Sequence, residues 1–443
     1  ARNFNRDIMS NIVVKDSVKT FDQNHSISFN PVSNFNSNFS KGRTFDYWRN
    51  TETSYSEAIS SGIRFSFLKL LDPISINLST SYRETKDVSM LSVDSTANRN
   101  ISSSTNGSIN ASFNLSNTML KLVSFIPIKS VKDTTGKTFS NKVKDRLNNF
   151  IRSFQPLSFT YTVSDNYALY RVTTRPPWEF RYGLSRDYLP DSGMAERFSN
   201  SFSRQYSFST GFSILNASVS IRGSIGNTIN KAYVSKRYTK NLRWPDISIN
   251  NLRIQNKYTS KVFSSITASF SYSTTTQSSG NFGNQPDNIS TTKIINPSLN
   301  FILKKGINGR IDYYYSAADT KDTRFGDRIQ KNRDHRLSLN PSYTISPGGQ
   351  IKLPGVDKVL KLKSSLQLTS NFQWSRSIQS TVTGNREVKV RDNTNYNFDL
   401  GGNYSVTRDI TANIGFGYRR YVDNLSKRYN STTSFGISVN FNF

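Results

Sequence analysis

The feature that most constrains this chain is the strict alternation of apolar and polar residues at its C-terminal end. Phe435, Ile437, Val439, Phe441 and Phe443 alternate with glycine, serine and asparagine. Successive side chains of a β-strand point to opposite faces, so this segment predicts a strand with one apolar face and one small polar face. About ten such residues of a tilted strand cross a bilayer. The pattern indicates a membrane-spanning strand, and an edge strand of a soluble sheet is the alternative.

The same alternation recurs along most of the chain. Ile410, Ala412, Ile414, Phe416 and Tyr418 form one further run, and we count about 17 such strands, whereas complete bacterial single-chain barrels have even numbers. The sequence therefore predicts an all-β fold, a transmembrane antiparallel β-barrel that is part of a larger barrel. An odd count with the first strand entering from outside predicts that an N-terminal part is missing.

The composition agrees with this fold class. The chain contains 30 Phe and 22 Tyr among many serine, asparagine and threonine residues, which favours strands over helices. No stretch approaches the roughly 18 consecutive apolar residues of a membrane helix, so a membrane protein of this composition spans the bilayer as a barrel. The N-terminus lacks the charged and apolar regions of a signal peptide, and we expect any export signal to have been removed or to lie upstream.

The alternation assigns particular side chains to two environments. The predicted lipid-facing residues are Phe416, Tyr418, Val439, Phe441 and Phe443. The predicted lumen-facing residues are Asn413, Gly415, Ser438 and Asn440. A wall of small hydrated side chains offers a passing polypeptide little to adhere to, whereas a soluble protein has no reason to expose so many aromatic rows on its other face.

Connection lengths predict which ends of the strands lie outside the cell. If Phe443 is periplasmic, long connections at 379–392, 316–334 and 274–291 fall outside, and tight turns at 407–409 and 304–306 fall inside. Outer-membrane barrels combine long extracellular loops with short periplasmic turns. The long segment at 346–360 is the exception on the periplasmic side.

Two further segments depart from the alternating pattern. Apolar residues at helical spacing, from Phe139 to Ile151, predict a short amphipathic periplasmic helix at residues 137–151. Residues 166–200 are rich in turn formers and contain Arg175-Pro176-Pro177-Trp178, so they predict one long extracellular loop.

Four stretches carry a resemblance to a known family. They are Phe154-Gln155-Pro156-Leu157, Arg175-Pro176-Pro177-Trp178, Trp244-Pro245-Asp246-Ile247 and Pro347-Gly348-Gly349. In order and spacing they resemble the C-terminal portion of the SprA family, the outer-membrane translocon of the type 9 secretion system. The resemblance covers residues 1–443.

The resemblance implies a protein-conducting channel in the bacterial outer membrane, larger than this chain, that exports polypeptides. The implied partners are secreted protein cargo, plug or shuttle proteins of the secretion system, and the remaining N-terminal part of the barrel as a separate chain. A self-contained porin or transporter of about 16–18 strands is one alternative. A β-rich surface adhesin is another, although the chain shows no fixed repeat period.

The net charge of +28 raises the question of nucleic-acid binding. Lysine and arginine are concentrated between the alternating segments, as at 231–243 and 324–336. We expect them to meet outer-membrane lipid headgroups and lipopolysaccharide, or to be simply solvated, and we expect no nucleic-acid partner.

The sequence contains few groups that could carry a reaction. His25 and His335 are the only histidines, and cysteine is absent. No nucleotide-binding, hydrolase or zinc-protease motif occurs. We therefore expect no enzyme activity, no cofactor and no metal site.

Overall fold

The structure is a computed structural model. It describes the chain except for residues 1–2, 16–17, 48–50, 68–70, 87–98, 125–138, 173, 186–197, 215, 233–234, 255, 325–327, 349, 353–358, 406–409 and 442–443.

Long β-strands dominate the described residues. In chain order they are β1 (Asn3–Lys15), β2 (Val18–Val32), β3 (Phe35–Asp46), β4 (Thr51–Phe67), β5 (Leu71–Lys86), β6 (Arg99–Phe113), β7 (Leu157–Val172), β8 (Phe198–Ile214), β9 (Ala217–Ala232), β10 (Lys236–Arg253), β11 (Phe263–Asn281), β12 (Asn288–Leu303), β13 (Ile307–Asp322), β14 (Arg328–Ile345), β15 (Gln350–Lys352), β16 (Val359–Lys361), β17 (Leu366–Thr383), β18 (Arg386–Ser405), β19 (Ile410–Asp423) and β20 (Arg428–Phe441). The helices are α1 (Leu115–Ser124), α2 (Phe139–Arg152), α3 (Trp178–Arg181) and α4 (Thr259–Val262). None of the described helices combines the length and apolar character that crossing a membrane requires.

Eighteen of these strands, all but β15 and β16, belong to one sheet. Strands β1 to β8 pair antiparallel with their neighbours in chain order. So do β12, β13, β14 and β17 to β20. The all-β antiparallel fold is therefore confirmed. The turns are tight because residues with positive φ, such as Gly306 (83°) and Lys427 (57°), reverse the chain within a few positions.

The chain forms two compact units. The first comprises residues 1–210, 222–242 and 277–287, and the second comprises 211–221, 243–276 and 288–443. The core of the first unit contains Tyr55, Tyr82, Ile101, Tyr167, Leu169, Val172 and Phe180. In the second unit the strands pair edge to edge and leave large apolar side chains exposed, including Phe435 and Ile437.

The number of strands agrees closely with the number predicted from the sequence. Eighteen described strands are close to the predicted number of about 17, but the count is even. Three strands, β1, β2 and β3, precede β4. The expected N-terminal part of the barrel stays a prediction.

The long extracellular connections were predicted too long. Residues 379–392 are mostly strand, because β17 runs to Thr383 and β18 begins at Arg386. Similarly, β7 extends to Val172 and β8 begins at Phe198, so 166–172 and 198–200 are not part of a loop. The polar residues of these segments predict loops, whereas strand pairing continues through them past the apolar rows.

Two other segments, at 137–151 and 346–360, interrupt the series of long strands, as the sequence predicts. Helix α2 overlaps the predicted helix at 137–151, of which residues 137 and 138 lie outside the described part. The segment at 346–360 contains the short antiparallel pair β15 and β16.

Candidate functional site: the two faces of the sheet

The register of the second unit places the predicted lipid-facing residues on one face. Phe416 is opposite Phe435 on β20 and opposite Leu400 on β18. Val439 pairs with Ala412, and Phe441 pairs with Ile410. Tyr418 lies on the same face because it is two residues from Phe416. Phe443 lies outside the described residues.

This apolar face continues across the second unit. One row, in which each residue is opposite the next, runs through Leu299, Ile311, Leu339, Phe372, Phe398 and Tyr418. The face is also open: Ile414 is 53% exposed, Phe416 is 37% exposed and Ile437 is 64% exposed. A continuous exposed apolar surface of this kind requires an apolar surrounding or a partner.

The predicted lumen-facing residues lie on the opposite face. Asn413 is opposite Ser438 and donates a hydrogen bond of 3.4 Å from Nδ2 to its Oγ. Gly415 pairs with Gly436, and Asn440 pairs with Thr411. The polar row next to them runs through Asp312, Ser338, Gln373, Asn397 and Arg419. The eight of these nine residues that the structure describes divide between two faces along the predicted lines, and the environment that each face meets remains a prediction.

The first unit has the same two-faced character. An apolar row runs through Ile63, Ile76, Ile109, Tyr161 and Tyr206. One position away on each strand, a polar row runs through Gly62, Asn77, Ser108, Thr162 and Gln205. Both rows run in register through four consecutive strand pairs, so neighbouring strands place residues of the same polarity on the same face.

A segment that sequence analysis treated only as loop folds onto the apolar face of the first unit. We call residues 174–185, which include α3, the strap. Phe180 in α3 is fully buried and packs edge-on against Tyr167, with ring centroids 5.2 Å apart. Tyr82, under the strap, lies an even number of residues from Ile76 and therefore on the same face. The strap covers the end of the apolar face that the sequence assigns to the extracellular side.

Ion pairs attach the strap to this face. Arg175 donates from Nε to Glu84 at 2.8 Å and from Nη2 to Glu52 at 2.8 Å. Its guanidinium carbon also lies 4.3 Å from the ring centroid of Tyr55. Arg181 is 3.3 Å from the carboxylate of Glu57, which also accepts a hydrogen bond from Tyr55. The strap is held by charge-assisted contacts around a buried aromatic side chain.

These contacts determine the ionisation of the strap residues. Burial alone would lower the pKa of the Arg175 guanidinium, but the hydrogen bonds to Glu84 and Glu52 outweigh burial and raise it. Burial, together with the negative charge of Glu57, raises the pKa of the Tyr182 hydroxyl. Arg175 therefore stays charged at any pH in which the protein is folded.

Sequence analysis missed the strap contacts, although a signal was present. Glu57 and Glu84 each stand two residues after a tyrosine, at positions of the apolar face. Carboxylates at such positions require cations or water, because an unpaired buried charge is strongly disfavoured. The basic residues of the Arg175-Pro176-Pro177-Trp178 stretch and its continuation supply those cations.

The two histidines lie on strands and not on loops. His335 is in β14, where its Nδ1 is 2.9 Å from the Tyr313 hydroxyl, and its ring centroid is 4.8 Å from that of Tyr315. His25 is in β2, opposite Lys41. Within the described residues, no group of three or more histidine or acidic side chains is placed to hold a metal ion.

Comparisons with known proteins give little further information. No protein-family model matches the chain, and no curated protein matches it. Among solved structures, the chain is similar to the alcaligin outer membrane receptor FauA from Bordetella pertussis, with 7% identity, 99% of this chain and 75% of that chain covered, and a TM-score of 0.31. This score is too low to assign a function, and the description of the fold rests on the strand pairing.

Proposed function

We propose that the chain forms part of the wall of a protein-conducting channel in the bacterial outer membrane. One observation carries the proposal: within each unit, paired strands present an apolar face and an opposite face of mostly polar side chains. A bilayer satisfies the apolar face, since an exposed apolar surface of this extent is otherwise disfavoured in water. Strands of 14 to 20 residues, such as β19 and β18, exceed the roughly ten residues that cross a bilayer.

The polar face supports conduction of large polar molecules. Asn413, Ser438, Gly415 and Gly436 form a patch without large apolar side chains. A polypeptide moving along such a surface meets hydrated groups that exchange hydrogen bonds with water at little net cost. The four stretches that resemble the SprA family support the narrower proposal of a type 9 secretion translocon, with secreted proteins as cargo and plug or shuttle proteins as partners.

Photo-crosslinking in secreting cells tests this function. A photoreactive residue is placed at Asn413 or Ser438 on the polar face and, as matched controls, at Ile414 or Ile437 on the apolar face of the same strands. We expect the polar-face positions to capture secreted polypeptides and the apolar-face positions to capture lipid. Capture of secreted polypeptides from the apolar positions only would overturn the proposal.

A self-contained porin or transporter is the second candidate, because the described strand number is even. In that case the polar-face positions would capture no polypeptide, and the chain would be isolated without a second barrel chain. A stoichiometric larger barrel chain that co-purifies with it would instead support the channel of several parts.

A further inference from the structure

A cavity of about 520 Å³ lies on the polar face of the first unit. Its wall includes Ser102 and Ser104 of β6 and Asn166 of β7, all on the polar side of the register. The end of β9 and the beginning of β10 contribute to the wall, and Ala232 N–H donates to Ser235 O there at 2.8 Å. The volume lies within the range of roughly 300–1,000 Å³ of small-ligand sites.

Three cations line this cavity. They are Arg83 of β5, Lys231 of β9 and Arg237 of β10. All three side chains are exposed, and no ion pair engages them in the described part of the chain. None of the described residues that line the cavity is acidic. This arrangement contrasts with Arg175 and Arg181 on the other face of the same strands, whose charges are paired with glutamates.

The chemistry of the cavity selects its ligand. Two guanidinium groups can each bind a carboxylate through two parallel hydrogen bonds, and the ammonium group adds a mobile positive charge. Serine and asparagine side chains supply both donors and acceptors for peptide amides. The described lining carries no large aliphatic side chain.

We propose that this cavity binds an acidic segment of polypeptide in extended conformation. The inference rests on the proposed function, because the polar face is then the surface along which cargo passes. Cations gathered in a recess without acidic residues raise the local concentration of acidic segments and speed their capture. The cavity is thereby a cargo-contact site of the channel wall.

Binding of defined peptides to the purified full chain in detergent tests the site. The probe is a fluorescent peptide that alternates aspartate with serine, compared with asparagine–serine and lysine–serine peptides by fluorescence anisotropy. We expect only the aspartate peptide to bind, with affinity falling steeply between about 0.05 M and about 0.5 M salt because the interaction is electrostatic. Equal binding of the asparagine peptide would overturn the proposal.

A matched pair of variants separates the cavity from the overall positive charge. The triple variant Arg83→Gln, Lys231→Gln and Arg237→Gln should bind the aspartate peptide about tenfold more weakly or worse. The control triple variant Arg64→Gln, Lys304→Gln and Lys363→Gln removes the same charge from exposed positions outside the cavity lining and should bind normally. Equal losses in the two variants would show that net charge, and not the cavity, attracts the peptide.

Two further outcomes are informative. Tighter binding of a sulfated oligosaccharide than of the peptide, lost in the cavity variant only, would make this an anionic-glycan site and contradict the proposal. The photo-crosslinking experiment tests the channel function separately from the cavity. Specific peptide binding without capture of secreted proteins at Asn413 would support the peptide site and overturn the channel function.

Discussion

Arg175 and Glu84, 91 positions apart in the chain, are joined by a hydrogen bond of 2.8 Å from Nε to Oε2. Glu84 lies on the apolar face of β5, where its side chain is only 5% exposed. A carboxylate on that face is stable because the strap brings a cation to it, and Arg99 adds a second contact at 2.6 Å. The strap and the sheet end are therefore energetically coupled.

Arg175→Met should destabilise the folded protein by about 2–3 kcal/mol. The loss lies below the ~3–5 kcal/mol of a fully buried pair because Arg175 is 33% exposed. The measurement is urea-induced unfolding in lipid vesicles. Arg310→Met is the control. The Arg310 side chain is 55% exposed and that of its partner Asp312 is 23% exposed, so this ion pair should contribute about 1 kcal/mol or less. Equal losses in both variants would contradict the coupling of the strap to the sheet.

Gly183→Ala should destabilise the strap by about 1–3 kcal/mol. Gly183 has a φ of 74°, and an added Cβ would lie 2.7 Å from Thr105 Oγ1 and 3.0 Å from Thr80 Cγ2. Gly283→Ala is the matched control, because Gly283 also has a positive φ of 91° but no atom lies within 4 Å of the added Cβ. Thermal unfolding should therefore show the larger loss for Gly183→Ala; the reverse order would mean that the strap does not pack as described.

Phe416→Arg should reduce the stability of membrane insertion by roughly 2–4 kcal/mol if this position lies near the midplane. The arginine charge would lie among apolar side chains such as Phe398, whose ring centroid is 6.3 Å from that of Phe416. Asn413→Arg on the opposite face of the same strand should have a much smaller effect. Equilibrium folding into lipid vesicles measures both, and a greater loss for Asn413→Arg would reverse the assignment of the faces.

The hairpin of β17 and β18 should lose stability in acid. The apolar alternation of β18 runs from Tyr396 to Tyr404, so Asp392 lies beyond the proposed spanning segment. Hydrogen bonds from Arg376, at 2.9 Å and 2.8 Å, lower the pKa of Asp392 to about 2. The lowered pKa of Asp392 stabilises the folded protein fully at pH values above the ordinary aspartate pKa of ~3.9. This stabilisation is lost as the pH falls through about 2.

Asp392→Asn and Arg376→Gln should each flatten this acid dependence. The measurement is the urea midpoint of both variants and the natural sequence between about pH 5 and about pH 2. The double variant should resemble either single variant, since the two groups act through one contact. An unchanged slope in Arg376→Gln would show that another group controls the titration.

The fold was predictable to different degrees along the chain. Alternation in β17 to β20 indicated strands and the division of their residues between two faces, because side-chain direction follows directly from strand geometry. The boundaries near residues 379–392 were predicted poorly, since the polar residues there pair as strand beyond the apolar rows. The cavity at Arg83, Lys231 and Arg237 was not predictable, because its lining comes from six strands, β5 to β10.

By itself the sequence determined the strand type, the absence of long apolar helices and the polarity of each face, since these depend on neighbours within one strand. The tertiary structure alone decided which residues are opposite each other, how far the hairpins extend, and that the strap joins Arg175 to Glu84. The physical reason is that strand register and ion pairs join residues far apart in the chain, and only the paired backbone brings them within contact distance.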